Sequence, residues 1–153
     1  MPNANKAKTK SALSLIALTL VVTISVFLLG LGNGSSPKVS FANAKVNVEI
    51  AERAIDRKVG LGNHDSLGRD DGMLFLFDVT SVHGFWMESM DFAIDIMWLD
   101  EARRVVHLET NVAPETYPEV FYPNLPAKYV LETNAGWAQA HNVRVGDIAH
   151  FDL

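Results

Sequence analysis

The sequence predicts an α+β, β-rich fold: a single compact domain of mostly antiparallel strands with two short helices, preceded by one N-terminal transmembrane helix. Three observations predict it. An uncharged apolar run lies near the N-terminus, several short downstream segments alternate apolar and polar residues, and only two short stretches have the composition of helices. Alternation with a period of two is typical of half-buried strands, and short strands joined by turns favour antiparallel pairing around one core.

The N-terminal region predicts a membrane anchor. Residues 11–37 contain no charged side chain, and residues 12–31 are a nearly unbroken apolar run. A helix of about 20 residues is long enough to cross ~30 Å of hydrocarbon. Three lysines precede the run, whereas few basic residues follow it closely, which predicts a cytoplasmic N-terminus and an extracytoplasmic domain. Residues 1–10 are therefore a basic tail, and residues 11–32 a transmembrane signal anchor.

A cleaved signal peptide is the alternative interpretation of the same region. Ala42, Asn43 and Ala44 have the small-x-small form that signal peptidase accepts, and cleavage after Ala44 would make the protein secreted. The apolar core of a signal peptide is usually about 7–15 residues long and is followed closely by its cleavage site. Here the run is longer and the site lies well beyond it, which favours the uncleaved anchor. Both interpretations export the domain.

Charge and composition exclude several classes of partner. Residues 38–153 carry 10 basic and 18 acidic side chains, a formal charge of −8. Nucleic acids and anionic lipid surfaces require clustered lysine and arginine, so we expect no nucleic-acid partner. The chain has no cysteine, which removes disulfides and thiolate chemistry and fits export to a bacterial or archaeal cell envelope. The five histidines lack metal-ligand spacing, so neither a metal nor a cofactor is predicted.

The first half of the exported region predicts a tether, two strands and a helix. Residues 33–44 begin with glycine, serine and asparagine and are interpreted as a flexible tether, so the domain is predicted to span residues 45–153. Residues 45–50 alternate as a half-buried strand does. Residues 52–59 have one apolar face and precede a glycine, as a short helix does. Residues 73–77 are continuously apolar, which is typical of a strand buried on both faces.

The second half predicts a hairpin, a long loop and a final α/β segment. Residues 94–99 alternate, and a four-residue connection leads to a second strand over residues 104–108. Residues 111–126 contain four prolines and are predicted to form an irregular loop. A strand over residues 128–132 is then followed by a helix that Asn134 caps and by a last strand over residues 148–151.

Seven short motifs occur in order along the predicted domain: Gly60-Leu61, Gly72-Met73-Leu74-Phe75, Phe85-Trp86-Met87, Ile94-Asp95, Pro126-Ala127-Lys128-Tyr129-Val130-Leu131-Glu132, Ala135-Gly136 and Val145-Gly146-Asp147. Their order and spacing resemble the DUF192 family over almost the whole of residues 45–153. The resemblance implies a small, often exported, β-rich domain with a curved antiparallel sheet. It implies little about catalysis, because no reaction is established for the family.

One departure from the family pattern concerns charge. Family members usually have a basic residue after Phe-Trp-Met, whereas this chain has Glu88, followed by Ser89 and Met90. If that segment lines a pocket, the reversed charge predicts a preference for a cationic or neutral ligand.

The sequence offers one candidate ligand site and two alternatives to it. The candidate binding residues are Phe85, Trp86, Met87, Glu88, Asp95 and Tyr122. An apolar cleft with a few polar groups is typical of a binding site, but aromatic strands are more often core. Tyr122 belongs to the proline-rich loop, which is a second candidate recognition surface.

The sequence is consistent with three functions. The leading hypothesis is a membrane-anchored binding or accessory module for an unknown extracytoplasmic ligand or protein, without enzymatic activity. The first alternative is a small hydrolase that uses Glu88, Asp95 and His83, since carboxylates in different surroundings can divide acid and base roles. Against it, Asp95 lies between two isoleucines and could be a structural carboxylate, paired with an arginine or with backbone donors. The second alternative is a purely structural envelope protein.

Overall fold

A computed structural model describes residues 36–153 of the chain. The predicted basic tail, the transmembrane anchor and the first residues of the tether lie outside the described residues. Within residues 36–153, no helix combines the length and the hydropathy that a membrane crossing requires. Ser36–Leu153 forms one compact unit, which contains the sheet and both hydrophobic clusters described below.

The domain is built on one six-stranded sheet with two short helices, as the sequence predicts. The strand order is β1-β2-β3-β6-β4-β5, and every neighbouring pair is antiparallel except β2 and β3. The elements are β1 Lys38–Phe41, β2 Ala44–Ala51, α1 Ala54–Val59, β3 Asp71–Ser81, β4 Ile94–Leu99, β5 Val105–Val112, the 3-10 turn Pro114–Thr116, β6 Ala127–Asn134 and α2 Trp137–Ala140.

The structure moves the start of the domain upstream of residue 45. Residues 38–41, predicted as part of the tether, form β1 and pair with β2. Apolar and polar residues alternate over this short segment, which the tether prediction did not take into account. Val39 and Phe41 are buried, at 0% and 7% exposure, while Lys38 is exposed. The folded domain therefore includes residues that a cut after Ala44 would remove.

The central strands are longer than the sequence predicts. The strand predicted over residues 73–77 is β3, Asp71–Ser81, and so extends beyond the prediction at both ends. Its outer half pairs with β6 as far as Ser81, across a register irregularity after Leu76. Pairing with a neighbouring strand, rather than local apolar pattern, therefore sets its length.

The end of the chain corrects two predictions. Asn134 does not cap α2, because the residue before the helix is Gly136, which has φ +78° in the left-handed region. The side-chain amide of Asn134 instead donates to the Gly68 carbonyl at 2.7 Å. The strand predicted over residues 148–151 is absent from the described sheet. Only isolated bridges, Ser40 with His150 and Arg104 with Ile148, join this segment to other strands, because its two ends pair with different elements.

The sheet separates two hydrophobic clusters, one on each face. Ile94, Ile96 and Trp98 of β4 belong to one cluster, while Met97 and Leu99 belong to the other, which confirms the predicted alternation of this strand. Residues of α1 and of the β3–β4 connection line a cleft on the first face.

Candidate functional site

A cleft of about 370 Å³ opens on the face of the sheet that carries Trp98. Helix α1 borders one side and residues 82–90, which connect β3 to β4, border the other. The lining includes four aromatic side chains and two carboxylates: Phe75, Phe77, Phe85, Trp86, Glu88 and Glu132. Aromatic and charged side chains thus line the cleft together, and small-molecule sites likewise combine apolar surface with placed polar groups.

Residue Phe85 fixes the connection that forms one wall. Its ring makes edge-to-face contacts with Phe75 and Trp98, with centroids 4.9 and 5.8 Å apart. Its backbone exchanges two hydrogen bonds with Phe121, at 2.9 and 2.8 Å, and the Trp98 indole donates to the His83 carbonyl at 2.8 Å. Aromatic packing and backbone pairing together hold this wall in one conformation.

The side chain at the inner end of the cleft is Glu132, which the sequence analysis did not select. It lies on the central strand β6, between Met73 of β3 and Ile96 of β4, and only 5% of the residue is exposed. Within residues 36–153, its carboxyl group forms no ion pair, and it is not among the fully enclosed unpaired atoms, so its oxygens are accessible from the cleft. Burial alone raises the pKa of Glu132 to about 8, so the carboxyl group is mostly protonated at pH 7.

A sequence pattern could have revealed Glu132. Val130 and Glu132 are two positions apart on a strand and therefore share a face. Val130 is fully buried, so the same alternation that buries it brings the carboxyl group of Glu132 inward. An acidic residue at an inward position of an apolar central strand is costly unless it has a partner.

His83 lies in the cleft wall as a neutral imidazole. Its ring stacks on Phe77, with centroids 3.6 Å apart and an interplanar angle of 12°, and its Nε2 is 3.1 Å from the Val79 carbonyl oxygen. Burial lowers the pKa of His83 below its usual range, and the carbonyl contact opposes this only in part. We therefore expect an uncharged ring at neutral pH.

Trp86 and Glu88 form the outer edge of the cleft. The Trp86 indole donates a hydrogen bond to the Glu88 carboxylate at 3.2 Å, and 44% of Trp86 is exposed. An exposed indole face beside a carboxylate is available to a ligand that enters from solvent.

The two basic residues of the lining are both on α1. The Arg57 guanidinium donates to the Leu76 carbonyl at 2.9 Å and to the Glu52 carbonyl, and it lies 5.2 Å from the centroid of Phe77. These contacts attach α1 to the end of β3. Lys58 is exposed to solvent.

The structure brings together part of the predicted site. Phe85, Trp86 and Glu88 line the cleft, as does His83 of the hydrolase hypothesis. Met87 is buried in the cluster beneath the cleft, at 2% exposure. Tyr122 is exposed outside the cleft, beside Gly84 on the same wall.

The structure places Asp95 on the opposite face from the cleft. It is fully buried, and its carboxylate accepts hydrogen bonds from three backbone amides, those of Asn111, Gly136 and Ala138, at 2.9, 3.0 and 2.9 Å. The sequence allowed either an arginine or backbone donors as partners of Asp95. Within residues 36–153, the partners are backbone amides. Asp95 therefore joins the end of β5 to the start of α2.

Comparison with known proteins assigns the chain to a family. A family model described as an uncharacterized ACR, DUF192, matches residues 38–151. The chain belongs to the DUF192 family. The match begins at β1, in agreement with the structural boundary of the domain rather than with the predicted start at residue 45.

Relatives of this DUF192 domain occur in archaea and bacteria. It is 30% identical over 112 residues to a UPF0127 protein of Thermococcus gammatolerans, covering 70% of this chain and 67% of the relative. It is 31% identical over 110 residues to a UPF0127 protein of Pyrococcus furiosus, covering 67% and 84%.

Two crystal structures share the fold of the DUF192 domain. A proposed transcription regulator of Sinorhizobium meliloti superposes with a TM-score of 0.71 and 26% identity, covering 75% of this chain and 92% of that one. A protein of unknown function from Novosphingobium aromaticivorans has a TM-score of 0.69 and 26% identity, covering 74% and 83%. The family has no assigned reaction, so the function of this chain is argued from its own cleft.

Proposed function

We propose that this protein is a membrane-anchored, extracytoplasmic binding module that takes a small ligand in the cleft between α1 and residues 82–90. The observation that carries the proposal is Glu132, a buried carboxyl group without a partner in the described chain, at the inner end of an aromatic cleft. Buried polar groups are nearly always paired, and this carboxyl group is accessible only through the cleft that it lines, so a ligand in the cleft can supply the partner that residues 36–153 do not.

The dimensions of the cleft support the same proposal. Small-molecule sites typically have volumes of about 300–1,000 Å³ with mostly apolar walls, and this cleft has about 370 Å³. Its wall at Phe85 is held by side-chain packing and by backbone hydrogen bonds, so this wall needs little ordering when a ligand binds. A purely structural envelope protein has no need of such a cavity.

The location is proposed from the sequence of the N-terminal region. The apolar run at residues 12–31, the preceding lysines and the acidic domain that follows together predict a single-pass anchor with the domain outside the cytoplasm. Protease treatment of intact cells should degrade the domain, and carbonate washing should leave the full-length chain in the membrane fraction. Recovery in the soluble cytoplasmic fraction would refute this part of the proposal.

Strand β1 supports the uncleaved anchor over cleavage after Ala44. Cleavage there would remove β1, together with the buried side chains of Val39 and Phe41 and the pairing of β1 with β2. Burying two side chains of this size contributes roughly 3–5 kcal/mol. Intact-mass measurement of the mature protein should therefore include residues 38–44. A mature chain that begins at Lys45 would show that the anchor is a signal peptide.

A thermal-shift screen of the full-length chain in detergent tests binding in the cleft. The panel contains organic amines, metals, glycans, nucleotides and peptides. A ligand at ~100 times its dissociation constant adds about 2.7 kcal/mol to the free energy of unfolding. The shift should shrink in Trp86→Ala and persist in Val145→Ala, a control that truncates a side chain 60% exposed and outside the cleft lining. No shift with any small molecule would redirect the search to a protein partner.

A second candidate is a small hydrolase, because one cleft contains a neutral imidazole and a carboxyl group of raised pKa. His83 and Glu132 both line it, and burial shifts the pKa of each toward the uncharged form, as in many acid–base sites. Asp95 takes no part, since it lies on the other face. Turnover of ester, phosphoester or glycoside substrates that Glu132→Gln abolishes would favour this candidate, whereas stoichiometric binding without turnover would favour the binding module.

A further inference from the structure

We infer that the ligand of the cleft is an organic cation, an ammonium or guanidinium group carried on an apolar body, which forms an ion pair with Glu132. This inference rests on the proposed function, and it specifies the chemistry of the ligand.

The inner end of the cleft can pair with a positive charge. Glu132 is 5% exposed, and no lysine, arginine or histidine of the described chain forms an ion pair with it. A buried carboxylate is strongly disfavoured unless a cation and hydrogen-bond donors compensate it. An ammonium or guanidinium group supplies both at once, because it carries a positive charge and several N–H donors. The carboxyl group would then lose its proton when the ligand binds.

The aromatic walls suit the same ligand. Phe75, Phe85 and Trp86 line the cleft, and aromatic faces attract cations while their rings pack against an apolar body. The Trp86 indole is the accessible one, because 44% of that residue is exposed. Phe77 is less available, since His83 stacks on it and the Arg57 guanidinium lies 5.2 Å from its centroid.

The outer edge and the overall charge favour the entry of a cation. Glu88 places a carboxylate beside Trp86 at the opening, and residues 38–153 have a formal charge of −8, which attracts cations from solution. Of the two basic residues in the lining, Arg57 is hydrogen-bonded to two backbone carbonyls. Lys58 is exposed, where solvent and salt screen its charge.

The test compares a cation with a neutral molecule of the same shape. Benzylammonium and benzyl alcohol are titrated into the full-length chain in detergent micelles by calorimetry, and titrations into micelles alone are subtracted. We expect the cation to bind about 10-fold or more tightly than the alcohol, as for a charge-assisted hydrogen bond in a desolvated site. Repeating the titration in buffers of different ionisation enthalpy should reveal the release of about one proton, because Glu132 is mostly protonated before binding.

Two variants make the result specific. Glu132→Gln keeps the shape of the side chain and should remove the preference for the cation, and the proton release with it, while benzyl alcohol binds as before. Glu119→Gln makes the same change of charge on an exposed residue outside the cleft lining and should leave the preference intact. Because His83 has a lowered pKa and is neutral at pH 7, the released proton is assigned to Glu132.

The outcomes separate this inference from the proposed function. Equal affinities for the two probes, or a cation preference that survives in Glu132→Gln, would overturn the cation inference and leave the cleft as a binding site. Failure of both probes to bind at millimolar concentration would count against both proposals. A further variant, Glu88→Lys, reverses the charge at the opening and should weaken binding of the cation several-fold with little change for the alcohol.

Discussion

Two buried carboxyl groups occupy neighbouring positions of the same sheet and have opposite surroundings. Asp95 of β4 pairs with Thr133 of β6, and the next residue, Ile96, pairs with Glu132. The Asp95 carboxylate accepts hydrogen bonds from three backbone amides, whereas Glu132 has no donor within the described residues and lines a cleft. The first group is satisfied by the fold and is therefore structural. The second has no partner among residues 36–153, which is why we propose that a ligand pairs with it.

Removing Asp95 should have the largest effect on stability. Asp95→Ala leaves three backbone N–H groups near the start of α2 and the end of β5 without their acceptor, and each buried unsatisfied donor costs about 1–3 kcal/mol. We expect a loss of about 3–6 kcal/mol in urea unfolding of residues 36–153. Asp95→Asn keeps one acceptor oxygen and should lose about half as much. A loss below about 1 kcal/mol in Asp95→Ala would contradict the structural role.

Replacing Glu132 should raise the stability of the protein, and the gain should depend on pH. Its folded pKa of about 8 is above its ordinary value of 4.5, so its contribution to stability is complete below about pH 4.5 and is lost as the pH rises through 8. Glu132→Gln cannot ionise and should be more stable than the natural chain by about 2–4 kcal/mol at alkaline pH, with little difference near pH 4.5. Urea unfolding at several pH values measures this, and a variant less stable throughout would contradict an unpaired Glu132.

Gly136 tests how the backbone presents an amide to Asp95. The residue has φ +78° and donates to the Asp95 carboxylate at 3.0 Å. A Cβ atom would have room there, its nearest neighbour being 3.8 Å away, so Gly136→Ala should cost only the left-handed conformation, about 1 kcal/mol. Gly136→Asn should cost less, because asparagine tolerates this region. Equal losses would indicate that backbone conformation is not the cause.

A third carboxylate provides the smallest expected effect. Glu88 is exposed at the outer edge of the cleft, where its carboxylate accepts a hydrogen bond from the Trp86 indole. Glu88→Gln should change the unfolding free energy by less than about 0.5 kcal/mol, as surface substitutions usually do. Thermal unfolding measures this. A larger loss would mean that Glu88 contributes to holding residues 82–90 in place.

Much of the fold was predictable because it follows from local pattern. Alternation over residues 45–50 and 94–99 predicted β2 and β4, and the glycine at position 60, which has φ +52°, ends α1 as predicted. The motifs identified the family, which the family model confirms over residues 38–151. Phe85, Trp86 and Glu88 of the aromatic segment line a cleft, and their role in binding stays a prediction.

What the tertiary structure decided depends on residues far apart in the chain. Strand β1 and the outer half of β3 form because β2 and β6 pair with them. In segments this short, the alternation of apolar and polar residues is too brief to predict such pairing. The roles of the two buried carboxyl groups were likewise beyond the sequence. Each is one acidic residue on an apolar strand. Only the fold determines that amides from residues 111, 136 and 138 surround Asp95, whereas Glu132 lines a cleft and has no donor among residues 36–153.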